Sequence, residues 1–207
     1  MTPSLVVVGA GGMGREALDV ALASGHRAVG VVADGASSLD LDRLARRGIP
    51  FLGSPSDWFT ANPGQAYVIG IGAPEARRRL DAQVTALGAT PLTIVHPDAT
   101  VGSDCRLGPG TVVCAGARLS TNVNTGRHAH VGANAAVGHD TVIDDWTSVN
   151  PGAVVSGNVS LGHTSLVGAG ATVLPRLTLG PESTVGAAAC VVGDVDRATT
   201  VKGVPAR

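Results

Sequence analysis

The pair His139-Asp140, within Val137-Gly138-His139-Asp140-Thr141-Val142-Ile143, is the part of this chain best equipped for chemistry. An imidazole beside a carboxylate is a general base, because the carboxylate orients the ring and raises its basicity. Eighteen residues later stands Gly157, in Ser156-Gly157-Asn158, whose backbone N–H no side chain obstructs. A base that takes a proton from an attacking amine or hydroxyl, beside a donor for the developing oxyanion, is what acyl transfer from a thioester requires. The pairing works only if residues eighteen apart are neighbours in space.

A repeat supplies that neighbourhood. From Val95 to Val191, every sixth residue is branched aliphatic in sixteen of seventeen positions, the exception being Thr125. Two residues before each lies a second series, mostly small: Thr93, Ala99, Cys105, Thr111, Ala117 and onward to Ala189. Nine of the seventeen residues that follow the aliphatics are Gly, among them Gly102, Gly108, Gly138, Gly162 and Gly168. A strict period over about a hundred residues is a repeat architecture. In a strand, positions two apart face the same way, so both series point inward. The glycine suits a corner, where φ > 0 is often needed and a Cβ has no room. Three faces close a coil of eighteen residues, and coils stack at the spacing of neighbouring strands, about 4.8 Å. His139 and Gly157 then share a corner on adjacent coils. So narrow a prism holds only small and aliphatic side chains, in keeping with an aromatic content of 2%.

About 90 residues precede the repeat. Leu5-Val6-Val7-Val8 has strand character and runs into Gly9-Ala10-Gly11-Gly12-Met13-Gly14. Arg15 to Ser24 reads as a helix, with Ala17, Leu18, Ala21 and Leu22 on one face, and Ala28 to Val32 as a second strand closing at Asp34. This is a βαβ unit with a G-x-G-x-x-G turn, which offers backbone N–H groups and a helix N-terminus to a phosphate. NAD, a purely structural turn and a phosphate-bearing substrate all remain open on the motif alone. The short length favours the last, since it allows one mononucleotide half and not a full dinucleotide fold. Asp40 to Arg47 reads as helical, Ile49 to Leu52 as a short strand, and the segment with Trp58 as a loop. Tyr67 to Gly72 reads as a strand that ends at the ligand-binding edge of an open sheet. Pro74 suits the first turn of a helix whose Arg77, Arg78 and Arg79 read as a solvated face rather than a phosphate site.

Composition excludes several classes. A formal net charge of −1 over 207 residues gives no reason to expect nucleic acid or an anionic membrane. No apolar run approaches the roughly 20 residues of a membrane span. Met1-Thr2-Pro3-Ser4-Leu5 lacks a basic n-region, so no signal peptide is expected, and the chain reads as soluble and cytoplasmic. Cys105, Cys114 and Cys190 are an odd number without metal-ligand spacing. His26, His96, His128, His130 and His163 read as solvent-facing. The last three raise a metal site, but no ligand motif accompanies them, and no metal is expected.

Gly9 to Glu16, His139-Asp140, Asn150-Pro151-Gly152-Ala153, Gly168-Ala169-Gly170-Ala171 and Gly203-Val204-Pro205-Ala206-Arg207 occur in that order. With the six-residue repeat, this chain resembles the sialic-acid O-acetyltransferase and sugar-nucleotide N-acetyltransferase family of left-handed β-helix (hexapeptide-repeat) acyltransferases. The resemblance implies a Rossmann-like half-domain that holds a nucleotide-sugar, and a left-handed parallel β-helix that binds acetyl-CoA between subunits of a homotrimer. It implies His139 as base, Asp140 as the acid that polarises it, and Gly157 as an amide donor. It further implies coenzyme contacts at Ser148, Ala169 and Ala187, and nucleotide-sugar contacts at Gly11, Gly12, Met13, Asp34 and Gly72.

Three features depart from the family pattern. Met13 replaces the usual glycine-loop histidine, and a thioether cannot donate to an oxygen. Ser148 stands where related enzymes often carry a second histidine, and Ala73-Pro74 replaces an amide-rich pair. The expected organisation is 1–90 for substrate, 91–193 for the β-helix and 194–207 as a C-terminal cap, with the N-terminal domain at the other end of the prism. The expected activity is acetyl transfer from acetyl-CoA to the amine of a nucleotide-linked amino sugar. O-acetylation of a sugar hydroxyl, acylation of a small non-nucleotide amine, and a non-catalytic trimeric scaffold are the alternatives.

Overall fold

A computed structural model describes residues 4–207. Met1-Thr2-Pro3, part of the stretch on which the absence of a leader was argued, lies outside the described residues. The first elements are β1 (Ser4–Val8), α1 (Gly12–Ala23), β2 (Arg27–Val32), α2 (Ser38–Ala45), α3 (Pro55–Ala61), β3 (Ala66–Ile69), α4 (Pro74–Ala86) and β4 (Thr90–Pro91). The four strands pair in parallel in the order β2-β1-β3-β4. The chain leaves β1 in one direction for β2 and returns on its other side as β3, so the strand order reverses between β1 and β3, and ligands bind at such points. The segment with Trp58 is a helix and not a loop. Ser54 caps it by accepting from the Asp57 N–H at 3.1 Å, and Pro55 occupies its first turn.

From Ile94 the chain winds as two-residue strands into three parallel sheets of seven, six and five strands. Up to Cys190–Val191 paired strands lie eighteen residues apart, for example Val137 with Val155 and Val149 with Val167, while the closing pair, Val185 with Val201, is sixteen apart. This is the left-handed β-helix. From Val113 to Val191 the aliphatic series is buried, and the small series is almost fully excluded from solvent from Thr111 onward, with Leu177 only partly buried. Thr125, the one exception in the aliphatic series, is also inside, where its hydroxyl accepts from the Gly108 N–H at 3.0 Å and bonds Thr111 Oγ1 at 2.9 Å.

The corner glycines answer to space and not to φ. None of the nine takes a positive φ; those angles fall two residues later, at Asp104, Gly110, His128, Asn134 and Asp140 among others. A Cβ at Gly102, Gly108 or Gly138 would instead lie 2.4–2.7 Å from backbone atoms of the next coil.

The N-terminal sheet and helices do not sit at an end of the prism. Ala17, Leu18 and Ala21 of α1 share a core with Ile94, Val112 and Cys114, on the outer side of the seven-stranded sheet. The first coil is left thinly covered, and Val101 is 39% exposed. At the other end the tail closes over the last coil: Cys190 N–H donates to Gly203 O at 2.9 Å, Ala206 N–H donates to Cys190 O at 2.7 Å, and Val201 and Ala206 pack on the core.

Candidate active site

His139 and Asp140 stand at the edge where the six-stranded face (Ala136–Val137) turns into the five-stranded face (Val142–Ile143). Asp140 takes the left-handed corner position, φ +59, and Asn122 and Asn158 take it one coil below and above, at φ +61 and +59. Asn and Asp tolerate that conformation best among residues with a side chain. The corner brings Asp140 Oδ2 to 2.7 Å from His139 Nδ1, while Oδ1 accepts from Asn122 Nδ2 at 2.9 Å. The Asn122 amide, and then the His139 ring, hold the Asp140 carboxyl below its ordinary value. An ionised carboxylate accepts only, so Nδ1 carries the ring proton and Nε2 presents its lone pair. Asn122 is a part of this constellation that the sequence reading missed. Its spacing of eighteen from Asp140 was the available signal.

Nε2 lies over Gly157. A Cβ built there would be 2.6 Å from it and 2.8 Å from Cε1. The Gly157 N–H has no acceptor among the described residues; Thr121 and His139, stacked below, share that property. A free amide is therefore general to this edge. Only at Gly157 does it lie beside a base.

The other expected coenzyme contacts are elsewhere. Ala169 and Ala187 are exposed, but on the edge between the seven- and six-stranded faces, so one chain does not bring them to His139. Ser148 is 2% exposed beneath the N-terminal domain; its hydroxyl accepts from Arg77 Nη2 at 2.9 Å and donates to Gly72 O at 3.2 Å. Buried, and with its one proton given to Gly72 O, this hydroxyl is not placed to contact a coenzyme, contrary to the expectation for Ser148.

The expected acceptor residues do gather. Gly11, Gly12, Asp34 and Gly72 are exposed and Met13 is half-buried, around the C-terminal ends of β1, β2 and β3. Three glycines let α1 approach the sheet: a Cβ at Gly14 would lie 1.8 Å from Gly9 O, one at Gly9 2.7 Å from Gly70 O, and one at Gly70 2.4 Å from Gly14 Cα. Gly11 and Gly12 face open space, with nothing within 4 Å of an added Cβ. Gly11 caps α1 without a side-chain hydrogen bond, leaving the first-turn N–H groups for a ligand. Beside this loop a cleft of about 340 Å³ separates Ala73, Pro74 and Glu75 from Leu166 and Thr184 of the seven-stranded face and the corner residue Thr164.

Beneath the loop lies a polar junction that the sequence reading misjudged. Arg77 and the buried His128 and His130 are not solvent-facing. Arg77 is 0% exposed and donates through Nε to His128 O (2.8 Å), through Nη1 to Ile71 O (2.8 Å) and Gly72 O (3.2 Å), and through Nη2 to Trp146 O (2.5 Å), Thr147 O (3.2 Å) and Ser148 Oγ. Burial lowers its pKa to about 9. Asp81, one turn on, accepts from both Nε and Nη2 of Arg127 (2.7 and 2.6 Å), from Tyr67 OH (2.6 Å) and from Trp146 Nε1 (3.0 Å), with His128 Nε2 at 3.0 Å. Burial works to raise the Asp81 pKa, but the hydrogen bonds from His128, Arg127 and Tyr67 overcome it and hold the carboxyl far below its usual range. Burial depresses His128 and, more strongly, His130, so both rings are neutral at pH 7. Among the described residues no group of three or more His, Cys, Asp or Glu could hold a metal ion, and no helix is long and apolar enough to cross a membrane.

A left-handed β-helix with a His-Asp pair over a bare amide, joined to a glycine-loop α/β unit, defines a hexapeptide-repeat acyltransferase. Comparison with known proteins agrees. Residues 4–84 match the PglD N-terminal domain family model. The chain is similar to the acetyltransferase domain of PglB from Neisseria gonorrhoeae, solved with acetyl coenzyme A, at 30% identity and a TM-score of 0.87 over 100% of this chain and 99% of that one. It is similar to PerB from Caulobacter crescentus, solved with CoA and GDP-perosamine, at 27% identity and a TM-score of 0.88 over 100% and 97%. WeeI from Acinetobacter baumannii matches at 27% identity and a TM-score of 0.87 over 100% and 99%. None of the curated proteins matches the chain. This chain belongs to the sugar N-acetyltransferase family of left-handed β-helix acyltransferases, and it is an acyltransferase.

Proposed function

We propose that the protein transfers the acetyl group of acetyl-CoA to the amine of a nucleotide-linked amino sugar, with His139 as general base. The observation that carries the chemistry is the His139 ring, held by Asp140 with Nε2 free, over the unpaired Gly157 amide. The amine lone pair attacks the thioester carbon, and the carbonyl oxygen gains the negative charge, which the Gly157 N–H stabilises. Nε2 accepts the proton that the amine sheds, and the Nδ1–H bond to Asp140 stabilises the imidazolium. Collapse of the intermediate breaks the C–S bond, and the thiolate takes the proton back from Nε2. The products are the N-acetyl sugar and free CoA. The substrate class is supported by the open glycine loop and by PerB, a similar protein solved with GDP-perosamine. Gly11, Gly12, Met13, Asp34 and Gly72 are the proposed acceptor contacts.

The working particle is a homotrimer, a closed ring of the 20.5 kDa chain. His139 and Gly157 occupy one edge while Ala169 and Ala187 occupy another, so a coenzyme touching both sets requires a second chain. Val142 and Val154, 46% and 43% exposed, flank the His139 edge and suit such packing. In this arrangement residues 1–90 hold the acceptor, 91–193 the acetyl donor, and 194–207 cap the coil, in the cytoplasm where both substrates are soluble.

Thiol release from acetyl-CoA is the test, measured across nucleotide-linked amino sugars and across the same sugars bearing hydroxyl in place of the amine. Release with an amine and not with its hydroxyl counterpart is expected. Release with the hydroxyl sugars alone would replace N-transfer by O-transfer. No release with any acceptor would make the chain a scaffold and defeat the proposal.

A further inference from the structure

The interdomain junction places one side chain between the acceptor loop and the prism. The five N–H bonds of the buried Arg77 guanidinium are divided between the two. Nη1 holds the carbonyls of Ile71 and Gly72, at the end of the β3 segment, while Nε and Nη2 hold His128, Trp146, Thr147 and Ser148, all on the prism. Ser148 closes the circuit, since its hydroxyl accepts from Arg77 and donates to Gly72 O. Gly72 O thus receives two donors, at 3.2 Å each, and the loop is tied to the coil that follows the one bearing Arg127 and His128. A planar fork is suited to this and an ammonium is not, because the acceptors lie in several directions around one plane. Every direct partner of Arg77 is neutral, so the group is not there to neutralise a carboxylate.

We propose that Arg77 and Ser148 are positioning residues for the acceptor: together they set the Gly72 loop at a defined place relative to the prism that carries the acetyl donor. The inference rests on the reading that Gly72 contacts the nucleotide-sugar. It moves Ser148 from the coenzyme side of the reaction to the acceptor side, though Ser148 touches neither substrate. Loop placement matters for rate and affinity because a reacting amine displaced by about 1 Å can lose on the order of 10²-fold in rate.

The two sides are separated by Michaelis constants. Ser148→Ala removes the hydroxyl donor to Gly72 O and leaves the guanidinium in place. Loss of one neutral hydrogen bond at the loop corresponds to a rise in KM for the nucleotide-linked sugar of about three- to tenfold, with KM for acetyl-CoA within twofold of wild type. Ser148→Thr, which keeps a hydroxyl, restores the sugar KM. Arg77→Lys changes the same constant in the same direction by more, and if that variant does not fold, the two Ser148 variants still decide the matter. A rise confined to the acetyl-CoA KM overturns the proposal and returns Ser148 to the coenzyme. Two unchanged constants, or two that rise together, in folded Ser148→Ala also overturn it. A wild-type protein without acetyl transfer refutes the functional reading instead, so the two failures are distinguishable.

Discussion

Gly157→Ala is the smallest change that probes the proposed reacting geometry. The φ of Gly157 lies outside the left-handed region, so alanine meets no backbone strain there. The three atoms nearest to the new Cβ all belong to the His139 ring, Nε2 at 2.6 Å, Cε1 at 2.8 Å and Cδ2 at 3.0 Å. Ordinary contact needs about 3.5–4.0 Å, so the ring must retreat by about 1 Å. It has room to do so, because the His139 side chain is 61% exposed. Surface changes of this kind usually alter stability by no more than about 0.5 kcal/mol, which for a chain of this length moves Tm by about 1–2 °C. Catalysis should respond very differently. A base displaced by about 1 Å costs on the order of 10²-fold, and the methyl group also crowds the amide proposed to hold the oxyanion. We expect kcat for thiol release from acetyl-CoA to fall about 100-fold while Tm stays within 2 °C. Wild-type kcat in a folded Gly157→Ala protein would refute the stacking of base over amide as the reacting arrangement.

The other predictions concern the acceptor loop and the junction. Gly12→Ala meets nothing within 4 Å and should fold as wild type, with a raised KM for the nucleotide-sugar; Gly14→Ala, whose Cβ would lie 1.8 Å from Gly9 O, should lose Tm sharply or fail to fold. Asp81→Asn leaves Arg127 without its carboxylate and should cost about 3 kcal/mol or more, read by denaturant unfolding. Because burial depresses His128 and His130, the unfolded chain takes up protons near pH 6.5 that the folded chain refuses. Stability should therefore hold above that pH and decline as the pH falls below it, seen as a falling Tm between pH 7 and 5. A Tm that rises on acidification would contradict neutral, buried rings.

The β-helix was open to sequence reading because its packing is periodic: one step of six selects the inward residues, and three steps align His139 with Gly157. The junction was closed to it because burial there comes from a second unit resting on the outer side of a face. His130 and Ser148 occupy outward positions of their strands, where periodicity implies solvent, and the N-terminal unit covers them, Ile69 of β3 against His130 and Arg77 of α4 on Ser148. Arg77, in a run of three arginines, reads as solvated for the same reason. Its spacing of four from Asp81 and seven from Val84, the buried residues of α4, was the one sequence trace of the face it shares. The glycine after each aliphatic was read partly for its φ, whereas the structure requires it for close approach between coils. The displacement of the N-terminal domain from the prism end to its side also escaped the sequence. A period along the chain carries no information on which face another unit covers.

His139 is the residue on which the proposed chemistry depends. Turnover of acetyl-CoA by His139→Ala, with a nucleotide-linked amino sugar that the wild-type protein acetylates, tests it most directly. We expect a fall in kcat of about 10²- to 10⁴-fold, with Tm unchanged because the ring is at an exposed corner. Turnover equal to wild type would contradict it and remove His139 from the mechanism.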